Sequence, residues 1–428
     1  MVSILLMMTE EGTLPSLVKL GIFCVLAGQF DNHVWRLVLL YLQSKVMLPM
    51  SSIILSSSSS SSSSSYYGHV IGMILYVVTA IAIWYMPHLA NLHKRPKEGC
   101  VFVTGCDSGM GQATVLGFAQ TNNNNINNKQ KQKQQGCYEQ IFAGCYDKEA
   151  AEQYYDKALT KEQRRYVTVV ALDVTKDDSV SQAVKTVQDW IKSNPTSKGL
   201  MGLVQYHGVA FNGPAAYMPM SMYQRQIEVN YVGSIRVVQA FLPLLKESAK
   251  THQHNNRIVL TGTGGGPCSP CPPLLTAYMS SKFALEAYAQ SLRQEMYMTQ
   301  SNIDVCVINP GFVKPTLLMA EGLKLTETMW KVCEEKLGST QAHDEYGPLM
   351  EHFLTYSSLQ PGTHVSQVVI AADHALTSPV PRSSYKVGID SKLAPIVGMM
   401  PTGMREWIAR NGIYGVLSPA GTVQGYKV

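Results

Sequence analysis

Residues Cys100–Gly111 read CVFVTGCDSGMG: an apolar strand, a loop with three glycines, and then a helix expected from about Gln112 to Gln120. Glycines in such a loop allow a tight turn, close approach of the backbone to a pyrophosphate, and close packing of the helix on the strand. The spacing is Gly-x-x-x-Gly-x-Gly rather than the usual Gly-x-Gly-x-x-Gly, so the position between a strand and a helix carries the interpretation. Because amides at a helix N-terminus bind phosphates, we expect cofactor contacts at Gly105, Ser108, Gly109, Met110 and Gly111.

Further apolar strands follow this loop and alternate with helical runs. They are predicted at 139–145, 166–172, 202–206 and 257–261, with a helix at 180–192. This alternation predicts a parallel sheet with right-handed crossovers and a ligand along the carboxyl ends of the strands. The predicted fold class is therefore α/β, a doubly wound, Rossmann-type parallel sheet in a single catalytic domain.

The ends of the second and third strands bear on the nucleotide. In a doubly wound fold the second strand ends at the adenosine ribose, where an acidic residue selects NAD and a basic one NADP. Tyr146, Asp147 and Lys148 stand at this end. Asp147 favours NAD, and the adjacent Lys148 leaves NADP open. Asp173-Val174 ends the third strand, where the acid could hydrogen-bond the adenine amino group or simply cap the following helix.

Tyr278 and Lys282 open a long amphipathic run that ends near Gln300. Residues four apart lie on one face of a helix. An ammonium beside a phenol lowers the pKa of the tyrosine from about 10, so that it can exchange a proton with a substrate hydroxyl or carbonyl near neutral pH. The same spacing arises by chance on solvated helix faces, so the pair needs supporting context.

Composition limits the classes of function. Of the 428 residues, 46% are hydrophobic and 15% charged, and the net charge is +5. Because no dense block of lysine and arginine interleaves with aromatic residues, nucleic acid is not an expected partner. The nine cysteines are scattered, which is typical of reduced, cytosol-facing thiols rather than of a disulfide framework. No metal site is expected, since Cys268 and Cys271 have no second ligand pair for zinc. Two interpretations of these cysteines stay open: a redox switch, or two incidental thiols in a loop.

The first hundred residues differ from the rest. Residues 1–67 include the unbroken serine tract Ser56–Ser65 and are interpreted as a low-complexity or targeting extension. Val70–Met86 has no charge, carries aromatic residues near both ends and precedes a basic collar. This pattern predicts a single membrane anchor within 68–92, with a cytoplasmic domain after it; the alternative is a buried core helix. The catalytic domain is expected at 98–390 and a C-terminal extension at 391–428, which would pack on the membrane surface or cap the substrate lid.

Five motifs in order make the chain similar to the short-chain dehydrogenase/reductase family, over about Cys100 to Tyr385. They are the glycine loop, Leu172-Asp173-Val174, Val229-Asn230-Tyr231-Val232-Gly233, Tyr278-x-x-x-Lys282 and Asn309-Pro310-Gly311-Phe312-Val313. The loop resembles the branch that holds retinol, hydroxysteroid and 3-hydroxybutyrate dehydrogenases. A C-terminal signature of that branch is matched at 375–379 and 381–388, and an N-terminal hydrophobic anchor is common there.

The resemblance implies a role for each matched residue. Tyr278 would be the general acid/base while a hydride moves between the substrate carbon and the nicotinamide. Lys282 would hold the nicotinamide ribose and lower the pKa of Tyr278. Asn230 would kink its helix and position a water that links Lys282 to solvent. The nicotinamide carboxamide would be contacted by Pro310, Gly311 and Val313, with Thr316 a weaker candidate.

Two departures from the family pattern concern the active site. The serine that normally binds the substrate oxygen is replaced: Thr263 keeps a hydroxyl fifteen positions before Tyr278, and Ser269 is the fallback donor. The fourth-strand Asn-Asn-Ala-Gly reads Gln205-Tyr206-His207-Gly208, in which Gly208 keeps the close approach to the cofactor while the usual asparagine contacts are altered.

We therefore expect an NAD(P)-dependent oxidoreductase that interconverts an alcohol and its carbonyl on an apolar retinoid-, steroid- or lipid-like substrate. Family resemblance implies a lid over the substrate after Gly311, attachment to the endoplasmic reticulum membrane by one helix, and a homodimer or homotetramer. The Leu- and Met-rich stretch 317–337 is either the lining of an apolar pocket or ordinary helix core. The alternative function is a catalytically weak or inactive member that binds nucleotide as a sensor or scaffold.

Overall fold

The computed structural model describes residues 97–121, 138–252, 255–264, 266, 271–359 and 362–407. Its strands are β1 (Cys100–Thr104), β2 (Gln140–Cys145), β3 (Val167–Ala171), β4 (Leu200–Gln205), β5 (Asn256–Thr261), β6 (Ile303–Pro310), β7 (Val313–Lys314), β8 (Thr363–His364) and β9 (Ser384–Val387). Its helices are α1 (Gly109–Thr121), α2 (Lys148–Ala158), α3 (Lys161–Arg164), α4 (Asp177–Ser193), α5 (Met220–Ile227), α6 (Gly233–His252), α7 (Thr276–Met298), α8 (Leu317–Leu337), α9 (Ser339–Leu359), α10 (Ser366–Thr377), α11 (Ile389–Gly398) and α12 (Thr402–Trp407).

Seven of these strands form one sheet in the order β3-β2-β1-β4-β5-β6-β9. The strands from β1 to β6 run parallel, with Val103 opposite Ala143 on one side and Val204 on the other. The chain goes outward from β1 to β3 and then returns past β1 to β4, so the order reverses next to β1. The prediction of a doubly wound, Rossmann-type parallel sheet is confirmed. The short strands β7 and β8 pair separately.

Both faces of the sheet are buried because side chains alternate along each strand. In β1, Val101 and Val103 pack into a cluster with side chains of α1 and α10. Phe102 points to the opposite face, which α4, α6 and α7 cover, and its ring lies 4.4 Å from that of Phe241, centroid to centroid. Burying each such side chain contributes roughly 1.5–3 kcal/mol, so this layering holds the carboxyl ends of the strands in fixed positions.

One charged residue, Arg257 of β5, lies inside this core and is 1% exposed. Its guanidinium pairs with Asp304 at 2.6 Å and donates from Nε to the carbonyl of Ala375 at 3.0 Å. Ala375 lies near the C-terminus of α10, where carbonyl groups lack helical donors. Arg257 therefore ties the end of α10 to the sheet.

The predicted elements recur with boundaries shifted by a few residues. The helix after the glycine loop begins at Gly109 instead of Gln112, because the loop glycines themselves enter its first turn. The Leu- and Met-rich stretch 317–337 forms α8, and a second long helix, α9, follows it. Two helices, α2 and α11, were not predicted from the sequence. The side chains of α2 are mostly polar.

Of the described residues, all but Ser378–Ser384 belong to one compact unit of the chain, and Ser378–Ser384 belong to a second. Within the second, the Ser378 hydroxyl donates to the carbonyl of Val380 at 2.9 Å. The predicted anchor Val70–Met86, Cys268 and Ser269 lie outside the described residues. Among the helices in the described ranges, none combines the length and apolar character needed to cross a bilayer.

Candidate active site

The glycine loop is shaped so that only glycine fits at its key positions. Gly105 and Gly109 have φ of +68° and +55°, a region that other residues rarely adopt. A Cβ on Gly105 would lie 2.6 Å from the His207 amide nitrogen, and one on Gly111 would lie 2.2 Å from the Gly105 carbonyl oxygen. The first turn of α1 is thereby held against the glycine loop, and the loop against the residues that follow β4. This cradle fits a nucleotide pyrophosphate.

Tyr278 and Thr263 meet at the carboxyl end of β5. Tyr278 lies in the first turn of α7 and is half-buried, and Thr263, just after β5, is 9% exposed. Burial raises the pKa of the Tyr278 hydroxyl above its usual value, while a hydrogen bond from the Thr263 side chain acts in the opposite direction. The replacement of the expected serine has therefore kept a hydroxyl donor beside the tyrosine.

Lys282 is buried one turn further along α7. Its Nζ donates to the Thr261 carbonyl oxygen at 2.8 Å, and burial lowers its pKa to about 8. The sequence had predicted that Lys282 lowers the pKa of Tyr278. The structure differs: burial raises this pKa, and the hydrogen bond that lowers it comes from Thr263. The physical reason is that the ammonium is directed at the backbone of β5.

Asn230 is fully buried on a π-helical turn, Glu228–Val232, between α5 and α6. Such turns mark a helix whose regular bonding is interrupted, in agreement with the expected irregularity. The Asn230 amide nitrogen donates to the Val209 carbonyl and to the Ser281 hydroxyl, both at 2.9 Å. Its Oδ1 accepts from the Val209 amide at 2.8 Å. A Cβ on Gly208 would lie 3.2 Å from this oxygen and 3.6 Å from Lys282 Nζ, so Gly208, Asn230 and Lys282 adjoin one another.

His207 stands where the family pattern Asn-Asn-Ala-Gly has alanine, and its hydrogen bonds fix its protonation. Its Nδ1 lies 2.7 Å from the Thr104 hydroxyl and its Nε2 lies 3.1 Å from the Ser234 hydroxyl. Because Ser234 donates its single hydrogen to the Asn230 carbonyl, it must accept from His207 Nε2–H. Thr104 then donates to Nδ1 of a neutral imidazole. Burial, together with the charge of Lys282, lowers the pKa of His207 to about 3.

A buried carboxylate, Glu286, supports the loop that carries Thr263. Its Oε1 accepts from Asn309 Nδ2 at 2.6 Å, and Asn309 Oδ1 accepts from the Thr263 amide at 3.1 Å. The side chain of Glu286 is 4% exposed and lies two turns after Tyr278 on α7. The chain Glu286–Asn309–Thr263 thus fixes the Thr263 backbone relative to the helix that bears the tyrosine.

The turn that follows β6 is held by Asp390 at the start of α11. Its Oδ2 accepts from the Phe312 amide at 2.7 Å, and a Cβ on Gly311 would lie 2.0 Å from the same carboxylate. The Ser391 hydroxyl donates to the Asn309 carbonyl at 2.6 Å. Gly311 therefore has to be glycine because Asp390 fills the space beside it.

The other residues predicted at this turn are spread around it. Pro310 ends β6, and Val313 is buried in β7 opposite Thr363 of β8. Thr316 lies at the glycine loop, with its side chain 3.4 Å from the position of a Cβ on Gly109. The turn after β6 and the glycine loop therefore face each other through Thr316.

On the adenosine side, both predicted acids make local hydrogen bonds. Asp147 is the N-cap of α2 and accepts from the Ala150 amide at 3.0 Å. Asp173 Oδ1 accepts from the Thr175 amide and hydroxyl at 2.9 and 2.7 Å. Burial raises the pKa of Asp173, but the hydrogen bonds from Thr175 lower it overall. Asp173 thus shapes the turn before α4 but is not its N-cap, a position held by Lys176, and the buried Val174 packs against Gly233 of α6.

On the substrate side, Met329 of α8 packs under Gly213, where a Cβ would lie 3.2 Å from the Met329 Cβ. Trp330 packs on a small cluster that includes Leu274 and Phe353. These two side chains pack as ordinary helix core, which is one of the two interpretations of the stretch 317–337. Ser281, Glu286 and Asp390 were not singled out from sequence. Glu286 could have been found from its helical spacing after Lys282, whereas Asp390 offered no local signal. Within the described ranges, no group of three or more His, Cys, Asp or Glu side chains could hold a metal ion.

Comparison with known proteins assigns the chain to a family. A family model described as short chain dehydrogenase matches residues 99–324, more than half of the chain. The chain belongs to the short-chain dehydrogenase family. The chain is 32% identical to retinol dehydrogenase 5 of Mus musculus over 308 residues, which cover 69% of this chain and 82% of that protein. It is 28% identical to short-chain dehydrogenase/reductase family 9C member 7 of Homo sapiens over 326 residues, covering 74% and 91%.

The predicted family is confirmed, and the chain is an oxidoreductase that acts on CH–OH groups. The fold matches a solved short-chain dehydrogenase from Streptomyces avermitilis with a TM-score of 0.51 at 16% identity, covering 73% of this chain and 96% of that one. A further relative is 17-beta-hydroxysteroid dehydrogenase type 6 of Bos taurus, 27% identical over 354 residues, which cover 78% of this chain and 96% of that protein.

Proposed function

We propose that this short-chain dehydrogenase uses a nicotinamide cofactor to interconvert an alcohol and its carbonyl on an apolar, retinoid- or steroid-like substrate. The observation that carries the proposal is the contact between Tyr278 and Thr263 one helical turn from the buried Lys282. Relatives named as retinol and hydroxysteroid dehydrogenases support the substrate class. The retained hydroxyl of Thr263 argues against a member that only binds nucleotide.

In this mechanism the cofactor supplies or accepts the hydride, and the side chains of the chain handle the proton. Tyr278 donates its phenolic proton to the substrate oxygen during reduction and takes it back during oxidation. Thr263 donates a hydrogen bond to the oxygen that carries negative charge, whether that of the phenolate or of the substrate. Burial raises the pKa of the Tyr278 hydroxyl, and the hydrogen bond with the Thr263 side chain acts in the opposite direction.

Lys282, Asn230 and Gly208 form the second part of the proposed site. Lys282 would bind the ribose hydroxyls, and Gly208 leaves room for the cofactor beside it. Asn230 Oδ1 uses one lone pair on the Val209 amide and keeps another for a water in a proton path to Lys282. The glycine loop and Thr316 would hold the pyrophosphate, and Pro310, Gly311 and Val313 the carboxamide.

Membrane attachment through Val70–Met86, at the endoplasmic reticulum with the catalytic domain in the cytosol, belongs to the same proposal. It is supported by the uncharged length of that stretch and by the basic residues after it. Apolar side chains exposed on α11 and α12 agree with contact of the C-terminal segment with lipid: Ile389, Leu393, Ile396, Met399, Met404 and Trp407.

The test uses the full chain in detergent micelles with NADH or NADPH and a panel of retinoids, ketosteroids and 3-keto acids. Tyr278→Phe should lower turnover by about 10²–10⁴-fold while cofactor binding, followed by tryptophan fluorescence, is kept. Tyr297→Phe is the matched control, because Tyr297 lies on the same helix and is 71% exposed. Turnover that survives Tyr278→Phe contradicts the mechanism. Cofactor binding without turnover on any substrate would favour the sensor or scaffold instead.

A further inference from the structure

The structure holds an unexpected carboxylate at the carboxyl end of β2. Asp107, from the glycine loop, accepts the Tyr146 amide on Oδ2 at 3.0 Å and the Asp147 amide on Oδ1 at 2.8 Å. These are the first two residues after β2, which ends at Cys145. An acidic group from the first loop therefore lies where the fold ordinarily takes one from the second strand.

The residue expected from sequence, Asp147, has another task. Its side chain accepts from the Ala150 amide at 3.0 Å and caps α2. A cap residue contributes to helix stability because it satisfies an amide that has no partner within the helix. This bond to Oδ1 sets the orientation of the Asp147 carboxylate relative to α2. Tyr146, beside it, is 72% exposed and carries no charge that could read a ribose hydroxyl.

Asp107 has acceptor capacity left over. A carboxylate offers about four lone-pair sites, and the two amides use two of them. Asp107 forms no ion pair with any residue in the ranges that the structure describes. A ribose 2′-hydroxyl can donate to such a group, whereas the 2′-phosphate of NADP would meet a like charge. The neighbouring cation, Lys148, pairs with Glu152 on α2, its Nζ lying 3.7 Å from Oε1.

We propose that Asp107, and not Asp147, accepts the hydrogen bonds of the adenosine ribose and makes the chain prefer NAD to NADP. This inference rests on the proposed use of a nicotinamide cofactor and names the residue that selects between its two forms. The same carboxylate joins the glycine loop to the end of β2, because it accepts the Tyr146 and Asp147 amides and would bind the sugar with its remaining acceptor sites.

The experiment compares two acids that lie side by side. Asp107→Asn keeps the size and one acceptor oxygen but removes the charge, and Asp107→Ser serves as a second variant if the first one melts early. Asp147→Ser is the matched control, because serine is also a good N-cap. Two quantities are measured on the full chain: the ratio of kcat/KM with NAD to that with NADP, and calorimetric binding of ADP-ribose against 2′-phospho-ADP-ribose.

We expect Asp107→Asn to lower both ratios about ten- to a hundredfold, the value of a lost hydrogen bond to a charged group. Asp147→Ser should leave both within about twofold, since an exposed side chain that makes no ligand contact changes little. The inference is overturned if Asp147→Ser lowers the two ratios as much as Asp107→Asn does, or more. It is also overturned if Asp107→Asn leaves both ratios unchanged, or if the wild type prefers the 2′-phosphate. Wild type that binds neither probe would instead overturn the proposed function, and the inference with it.

Discussion

The side chains of Thr263 and Tyr278 share a hydrogen bond, although fifteen positions and a loop with four prolines separate the two residues. The family's serine is thus replaced by a residue of the same hydrogen-bonding capacity. The loop between them is longer, yet Glu286 and Asn309 hold its first residue in place. The altered spacing has therefore not displaced the donor.

Removing the Thr263 hydroxyl should impair catalysis and little else. Thr263→Val keeps the shape but not the donor, and we expect kcat and kcat/KM to fall together by about 10²–10³-fold. Thr263→Ser, which keeps the hydroxyl, should lose less than tenfold. Steady-state kinetics with the best carbonyl substrate decides between them. If kcat in Thr263→Val is near normal, another residue donates the hydrogen bond to the substrate oxygen, and Ser269 is the first candidate.

Replacing Asp390 should weaken binding of the nicotinamide half of the cofactor and leave binding of the ADP-ribose half unchanged. Asp390→Asn weakens the acceptor for the Phe312 amide, so the turn that contains Gly311 loses a charge-assisted bond. We expect NADH to bind about tenfold more weakly, with ADP-ribose, which lacks nicotinamide, bound as before. Asp178→Asn, an exposed residue on α4, is the control. A parallel loss for both ligands would point to general damage rather than to the turn.

The lowered pKa of Lys282 should be visible in the rate of carbonyl reduction. Burial lowers this pKa to about 8, whereas that of Tyr278 is raised, so the tyrosine keeps its proton throughout. As pH rises through 8, Lys282 loses its charge and kcat/KM should fall. Lys282→Arg should remove this limb at a lower absolute rate, because a guanidinium stays charged. If the decrease in kcat/KM above pH 8 persists in Lys282→Arg, the titration of a group other than Lys282 causes it.

His207 should make the protein sensitive to acid. Its pKa is about 3 in the folded state and about 6.5 when unfolded, so between these values the unfolded chain binds more protons and stability falls as pH drops. At pH 4.5 the difference is on the order of 2 kcal/mol. Thermal melts at pH 7 and 4.5 should show a smaller acid loss for His207→Asn than for wild type. Equal losses in the two proteins would mean that His207 does not titrate in this range.

Much of the fold was predictable because local patterns encode it. The apolar run of β1 followed by Gly105, Gly109 and Gly111 indicated the Rossmann sheet, and the spacing of Tyr278 and Lys282 indicated a shared helix face. The prediction from Asp147 was different in kind. It places the acid at the end of β2 beside the ribose, and the structure adds that this side chain also caps the start of α2. Because α2 was not predicted, its need for a cap could not be weighed.

The sequence by itself determined the alternation of strands and helices along the chain, the glycine cradle and the helix that bears Tyr278 and Lys282, because each depends on residues close together in the chain. Only the tertiary structure decided which groups meet across the carboxyl edge of the sheet. Thr263 beside Tyr278, Asp107 beside the end of β2 and Asp390 beside Gly311 join residues from 15 to 79 positions apart. Their contacts depend on the relative placement of loops at the ends of neighbouring strands, which no local periodicity specifies.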